Sequence, residues 1–162
     1  MEAATEERVE GAPTEHPCSS FAKSLFLGEI HEELVFPWPQ PDPDEQDKVR
    51  ALIASAHELG SRLDPRKIEE DGWIGDDVIR ELGERGLCGL YVPERFGGQG
   101  LSQTGYARVF ETFARIDATL SIVLGVHQSI GFKGIHMFGT EEQKERFLPD
   151  LAAGRKLAGF AL

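Results

Sequence analysis

The residues that could form a ligand site lie in the apolar stretch Ala118–Phe138. On a helix, Ser121, Gly125 and Gln128 would share one face, and that face would carry little bulk although its neighbours are rich in leucine, isoleucine and valine. Glycine inside a helix costs about 1 kcal/mol relative to alanine, so it needs a reason there. Two reasons stay open: another helix packs closely against this small-residue stripe, or the stripe forms one wall of a slender ligand cavity.

The other reactive side chains show no metal-binding or catalytic spacing. The histidines share no metal-ligand pattern, and His31 opens a sequence that lacks the second histidine of the helical zinc motif. His127 lies among apolar residues, which favours a hydrogen-bonded core histidine over a ligand or a base. The glycines between Gly97 and Gly100 do not form the dinucleotide-binding pattern and predict a surface loop. We therefore predict no metal site.

The composition is typical of an acidic globular protein in a reducing compartment. The 162 residues carry a formal net charge of −11 and are 40% hydrophobic, which predicts one domain with one core. The acidic surplus argues against nucleic-acid and anionic-membrane partners, because both attract clustered lysine and arginine. Cys18 and Cys88 are too few for a disulfide framework. The first twenty residues resemble neither a secretory signal nor a transit peptide, so the predicted location is cytoplasmic.

The front of the chain is predicted to lie outside the core. Residues 1–48 hold twelve acidic and only three basic residues, and we predict a disordered acidic lead over residues 1–18. A short helix and a proline-rich connector are predicted over residues 19–43. The connector cannot be helical, because every second residue of 36–43 is proline.

Helical periodicity dominates the rest of the chain. It predicts one helix with its N-cap at Asp44 and a second from Asp76 to a stop at Gly86. Ser102 is expected to cap a third helix.

A fourth, central helix is predicted over residues 118–138, largely buried and interrupted too often by polar residues to cross a membrane. Thr140 and Gln143 form a capping-box signature for a last helix, which Pro149 would tighten or break before Gly154 ends it. Residues 157–162 are expected to begin a strand.

Two sequence blocks resemble signatures of the acyl-CoA dehydrogenases. Residues 89–102 read GLYVPERFGGQGLS and are similar to the family's G-L-x-V-P-E-x-x-G-G-x-G-L. Residues 138–154 read FGTEEQKERFLPDLAAG and are similar to F-G-T-E-E-Q-K…Y-L-P-x-L-A-S-G. Three further segments are similar to the very-long-chain branch of the family: residues 124–135 (LGVHQSIGFKGI), 20–26 (SFAKSLF) and 35–39 (VFPWP). The likeness covers everything except the acidic lead.

The resemblance implies an all-α fold class. Residues 44–155 would be the family's N-terminal helical domain, and residues 156–162 would start its middle β domain, truncated here. The catalytic base is expected in a C-terminal domain that the chain lacks, so no catalytic residue is implied within it. In the family the segment T-E-P-x-x-G-S-D, which would follow, contacts the flavin. Phe160, Ala161 and Leu162 are therefore the implied FAD-binding residues.

The reaction implied by the resemblance is FAD-dependent α,β-desaturation of a fatty acyl-CoA, with long chains favoured, in β-oxidation. A glutamate removes the α proton while a hydride passes to the flavin. Ser121, Gly125 and Gln128 become the implied wall of the acyl tunnel. The implied partners are an electron-transfer flavoprotein as acceptor and, at full length, further copies of the chain. A catalytically inactive truncated module, an assembly or binding protein on the same scaffold, and a flavin monooxygenase stay open as alternatives.

Overall fold

The computed structural model describes residues 21–161, and these residues form helices and irregular segments but no strand. The α-helices of this part are α1 (Phe21–Phe26), α2 (Gln46–Gly60), α3 (Pro65–Asp71), α4 (Asp76–Glu84), α5 (Gln103–Ile116), α6 (Ala118–Val126), α7 (Lys133–Phe138) and α8 (Glu141–Ala152). The shorter helical turns are the 3₁₀ turns Glu32–Leu34, Pro43–Glu45 and Glu94–Phe96 and the π turn His127–Gly131. The predictions for residues 1–18 lie outside the described residues.

The chain divides into two units, residues 1–39 and residues 40–162. The described part of the first unit holds α1, one 3₁₀ turn and an irregular segment through residues 36–39. The predicted short helix is therefore present as α1. Phe36 and Trp38 lie 6.4 Å apart between ring centroids, and both side chains are more than half exposed.

The second unit is built around two clusters of buried side chains. The larger cluster lies between α2, α4, α5 and α6, and Leu82, Phe113 and Leu120 are fully buried within it. The smaller cluster joins the segment after α4 to α8 and to Phe132, which is also fully buried. Burial of such side chains supplies about 1.5–3 kcal/mol each, so these clusters hold the helices together.

Three predicted helix signals are present. The Ser102 hydroxyl accepts the Gly105 amide at 3.0 Å and caps α5. Thr140 and Gln143 form the reciprocal capping box of α8. Gly86 follows α4 with a φ of 72°, a conformation that glycine adopts without strain.

Two helix starts differ from the prediction. Asp44 does not cap α2, because it lies inside the 3₁₀ turn Pro43–Glu45. Helix α2 begins at Gln46, directly after that turn. Helix α3 was not predicted at all, although its signals are in the sequence. Asp64 accepts the Arg66 and Lys67 amides at 3.0 and 3.3 Å, and a proline stands at the first helical position.

The central helix predicted over residues 118–138 is wrong as one continuous element. It is divided into α6, the π turn and α7, and the Phe132 amide donates to the His127 carbonyl at 3.2 Å, five residues back. The adjacent His127 and Gln128 side chains of this turn are both buried. Phe132 is still fully buried, whereas Phe138 at the end of α7 is 83% exposed.

Two further predictions about the C-terminal part need correction. Helix α8 continues through Pro149 to Ala152 instead of breaking there, because Leu148 and Leu151 on either side are buried and hold the helix in place. The strand expected from residue 157 is absent over the described residues 157–161. A strand needs a partner for its main-chain hydrogen bonds, and no other strand exists among residues 21–161.

Replacing Thr140 with alanine should lower the free energy of unfolding by about 1 kcal/mol, because the Gln143 amide loses its acceptor. Chemical denaturation measures the change. Thr119→Ala, at an exposed position on α6, is the matched control and should not destabilise the protein. Equal losses in the two variants would contradict the capping role.

Candidate functional site

The Gln128 amide holds the segment that connects α4 to the first signature block. Its Oε1 accepts the Leu90 amide at 2.8 Å, and its Nε2 donates to the Leu87 carbonyl at 3.0 Å. The Tyr91 hydroxyl donates to the Gln128 main-chain carbonyl. Gln128 is fully buried, and burying these polar groups without partners would be unfavourable. Both ends of this amide are therefore occupied within the protein.

The small-residue stripe faces the protein interior. Ser121 is 9% exposed, and its hydroxyl donates to the Ala118 carbonyl at 2.8 Å. A Cβ added at Gly125 would lie 3.1 Å from Cζ of Phe110 on α5. Ser121, Gly125 and Gln128 thus lie on the inward side of α6 and its π turn, and the contacts favour the close-packing alternative. Their contact with a substrate stays a prediction.

The opposite side of the same element carries an exposed apolar row that the sequence analysis missed. Ile122 is 64% exposed and Ile130 is 59% exposed, and the half-buried Val126 lies between them in sequence. A spacing of four residues places neighbouring members of such a row on one side of a helix. This spacing was the available signal, and the glycines of the small-residue stripe drew attention to the other side.

An apolar groove of about 210 Å³ lies beside α6. It is lined by Gly72, Trp73, Ile74, Asp76, Ile79, Thr119, Val123 and Leu157. Trp73 is 70% exposed, and only one charged side chain contributes to this lining. The groove and Ile122 lie on α6, and Ile130 lies on the π turn that follows. This part of the chain therefore presents apolar surface suited to a hydrocarbon chain.

His127 is the hydrogen-bonded core histidine that its surroundings predict. Its side chain is 1% exposed, its Nδ1 accepts the Ala158 amide at 3.0 Å, and its Nε2 lies 3.0 Å from the Leu151 carbonyl. Burial lowers its pKa, and the hydrogen bond to the Leu151 carbonyl and the nearby main chain of Cys88 oppose that shift. The ring is therefore neutral at pH 7, and both ring nitrogens have partners.

The exit segment, residues 157–161, carries the predicted flavin contacts. Phe160 is 63% exposed and Ala161 is exposed, whereas Leu162 lies outside the described residues. The main-chain amides of residues 159–161 donate to no described residue. An exposed aromatic ring next to accessible main-chain amides has the chemistry to contact a flat heteroaromatic group with polar edges, such as the isoalloxazine ring of FAD.

Metal-binding and membrane-spanning features are absent from the part of the chain that the structure describes. No three histidine, cysteine, aspartate or glutamate side chains converge there to hold a metal ion. None of its helices combines the length and the apolar character needed to cross a bilayer. Cys88 is a buried free thiol, and burial raises its pKa to about 12.

Comparison with known proteins identifies the family. The family model described as "Acyl-CoA dehydrogenase, N-terminal domain" matches residues 43–155. This chain belongs to the acyl-CoA dehydrogenase family. The all-α fold class and the resemblance stated above are thereby confirmed.

One curated relative is the very long-chain specific acyl-CoA dehydrogenase, mitochondrial, of Mus musculus. It is 40% identical over 152 residues, which are 93% of this chain and 23% of that protein. The chain therefore spans about a quarter of the length of this relative.

Two solved structures share the fold. An acyl-CoA dehydrogenase complexed with FAD from Bacillus anthracis is 33% identical with a TM-score of 0.61, covering 72% of this chain and 20% of that one. A structure described as the electron transferring flavoprotein of Acidaminococcus fermentans is 30% identical with a TM-score of 0.62, covering 69% and 30%.

Replacing Gln128 with methionine should lower the free energy of unfolding by about 2–4 kcal/mol, because the Leu90 amide and the Leu87 carbonyl would be buried without partners. Chemical denaturation of both proteins measures the loss. The adjacent, exposed Ser129→Ala should change stability by less than about 1 kcal/mol. A similar effect in the two variants would show that the Gln128 amide does not stabilise this segment.

Proposed function

We propose that this chain is the N-terminal part of a FAD-dependent enzyme that desaturates fatty acyl-CoA between the α and β carbons, with a preference for long chains. The observation that carries the proposal is the family match together with the exposed apolar surface of α6. Desaturation would be a step of β-oxidation. The base that removes the α proton is proposed to lie outside residues 1–162.

The proposed flavin contacts are Phe160, Ala161 and Leu162. FAD, when bound, supplies an acceptor for the hydride that leaves the β carbon. The main chain of the exit segment offers amide hydrogens to a polar edge of the ring, and the exposed Phe160 ring offers a flat apolar surface. The FAD named for the Bacillus anthracis relative supports this cofactor.

The proposed wall for the acyl chain is the exposed row Ile122, Val126 and Ile130. These side chains are accessible, whereas the amide of Gln128 is committed to the protein interior. The small-residue stripe, first predicted as the wall, would then act indirectly. Gly125 leaves room for Phe110 and so lets α5 and α6 approach. Direct substrate contact by Ser121, Gly125 and Gln128 is the competing assignment.

The proposed partners follow from the family and its relatives. An electron-transfer flavoprotein is the proposed electron acceptor, supported by the similar structure from Acidaminococcus fermentans. Assembly of the complete protein into a homo-oligomer and its location in the cytoplasm stay predictions.

Replacing Ile122 with tryptophan in the complete gene product should lower kcat/KM at least tenfold for a sixteen-carbon acyl-CoA and less than twofold for a four-carbon one, because only a long chain reaches the added ring. Steady-state kinetics with both substrates measures the difference. Ala51→Trp, which places the same indole ring at an exposed position on α2, is the control and should affect neither substrate.

Gly125→Leu tests whether the exposed apolar row or the small-residue stripe contacts the acyl chain. Its side chain would press against Phe110 inside the domain, so we expect reduced stability and equal losses on both substrates. Loss confined to the long substrate with stability unchanged would instead support the small-residue stripe as the wall. A complete gene product that binds no flavin and desaturates no acyl-CoA would exclude the enzyme and favour an assembly or binding protein on this scaffold.

A further inference from the structure

The exit segment rests directly on the π turn. Its residue Ala158 donates its main-chain amide to Nδ1 of His127 at 3.0 Å. A Cβ added at Gly131 would come within 2.7 Å of the Ala158 carbonyl oxygen and 2.9 Å of its Cβ. Since real Cβ atoms do not approach so closely, glycine at position 131 is what allows this approach.

The hydrogen bonds of His127 determine its protonation. A main-chain amide can only donate, so Nδ1 carries no proton and the proton lies on Nε2, which donates to the Leu151 carbonyl at 3.0 Å. The Phe132 ring meets the imidazole edge-on with its centroid 4.8 Å away. The ring therefore ties the end of α8 to the exit segment, and it does so only in this neutral form.

Ala158 is the point at which the exit segment is held. Among the described residues, its amide makes the one hydrogen bond formed by the main chain of residues 157–161. Leu157 and Phe160 are 48% and 63% exposed. Leu157 also lines the groove beside α6, and Ala158 packs against the smaller buried cluster. The hydrogen bond to His127 and the close approach to Gly131 are the last main-chain constraints before the exposed residues 159–161.

We propose that His127 is a positioning residue for the flavin site, which fixes the path of residues 159–161 by accepting the Ala158 amide. The inference rests on the proposed function, because that function assigns Phe160 and Ala161 to FAD. His127 does not touch the cofactor and acts through the main chain of Ala158.

Protonation of His127 would release the exit segment, because a protonated Nδ1 cannot accept the Ala158 amide. The Leu151 carbonyl, the Ala158 amide and the Phe132 ring contact the imidazole, and none of the three titrates. The main chain of Cys88 lies nearby, and its thiol stays uncharged because burial raises its pKa to about 12. Burial holds the folded-state pKa below 6.5. The anchor is thus present at neutral pH and is lost as the pH falls through the lowered folded-state pKa.

The test uses the complete gene product and two measurements. Hydrogen–deuterium exchange of a peptide covering residues 157–161 reports the anchor whether or not FAD binds. Titration of the apoprotein with FAD gives the dissociation constant. His127→Leu removes both hydrogen bonds, and Gly131→Ala displaces Ala158 while leaving the imidazole in place. Gly134→Ala is the matched control, because a Cβ there has no neighbour within 4 Å.

We expect His127→Leu and Gly131→Ala to exchange at least tenfold faster over residues 157–161 and to bind FAD at least tenfold more weakly. Gly134→Ala should stay within twofold of the wild type in both measurements. His127→Asn places an acceptor close to the position of Nδ1 without a titratable ring. It should restore most of the FAD affinity and abolish the weakening of wild-type binding at acidic pH.

Three results would overturn the inference. Unchanged exchange over residues 157–161 in both His127→Leu and Gly131→Ala would show that His127 does not hold the exit segment. Faster exchange with unchanged FAD affinity would show that holding the segment does not position the flavin site. If His127→Leu does not fold, the Gly131→Ala variant is sufficient: exchange and FAD affinity equal to those of Gly134→Ala would refute the inference. A wild-type protein that binds no FAD would refute the proposed function, and the exchange data would still decide whether His127 anchors the segment.

Discussion

The structure depends on how the π turn satisfies buried polar groups. Successive side chains of a helix differ in direction by about 100°, so two adjacent buried polar residues meet different parts of the interior. In the π turn, His127 and Gln128 are both buried, and their four polar ring and amide atoms all meet main-chain partners. Gln128 fixes the segment after α4, and His127 fixes the segment after α8. One turn of helix thereby organises both ends of the C-terminal half of the domain.

The inward and outward sides of α6 have different physical roles. The inward side is lean because Phe110 needs the space at Gly125. The outward side is apolar and exposed at Ile122 and Ile130, an arrangement that is unfavourable in water unless the surface binds another apolar group. Family membership gives that surface a natural ligand in the proposed function, a hydrocarbon chain held beside the flavin.

Local signals in the sequence predicted most helix boundaries correctly. Ser102, the Thr140–Gln143 pair and Gly86 satisfy main-chain groups within a few residues of themselves, so their effect can be inferred without tertiary structure. Asp64 carries an equally local signal for α3 and was overlooked. The apolar pattern of residues 157–161 wrongly predicted a strand. A strand forms only if another segment pairs with it, and the pattern of one segment does not show whether a partner exists.

The candidate site was harder to predict, since it depends on tertiary contacts. Helical spacing correctly grouped Ser121, Gly125 and Gln128, but spacing cannot say which side of a helix meets the core. That was decided by Phe110 and by the Leu87 and Leu90 main chain, which lie far away in sequence. The π turn itself had no recognised signal, because its benefit is the burial of two polar side chains against distant partners.

The π turn also constrains how the sequence can change in length. It is equivalent to one extra residue inserted into a helix, so deleting a residue between 127 and 131 would let an ordinary α-helix form. Because the turn absorbs the extra residue, α7 and α8 would keep their orientation to α6, and the change would fall on the residues of the turn itself, whose buried side chains would lose their register with their partners. Insertions and deletions should therefore be rarer in this turn than point substitutions at its exposed positions, even though one residue fewer would give a more regular helix.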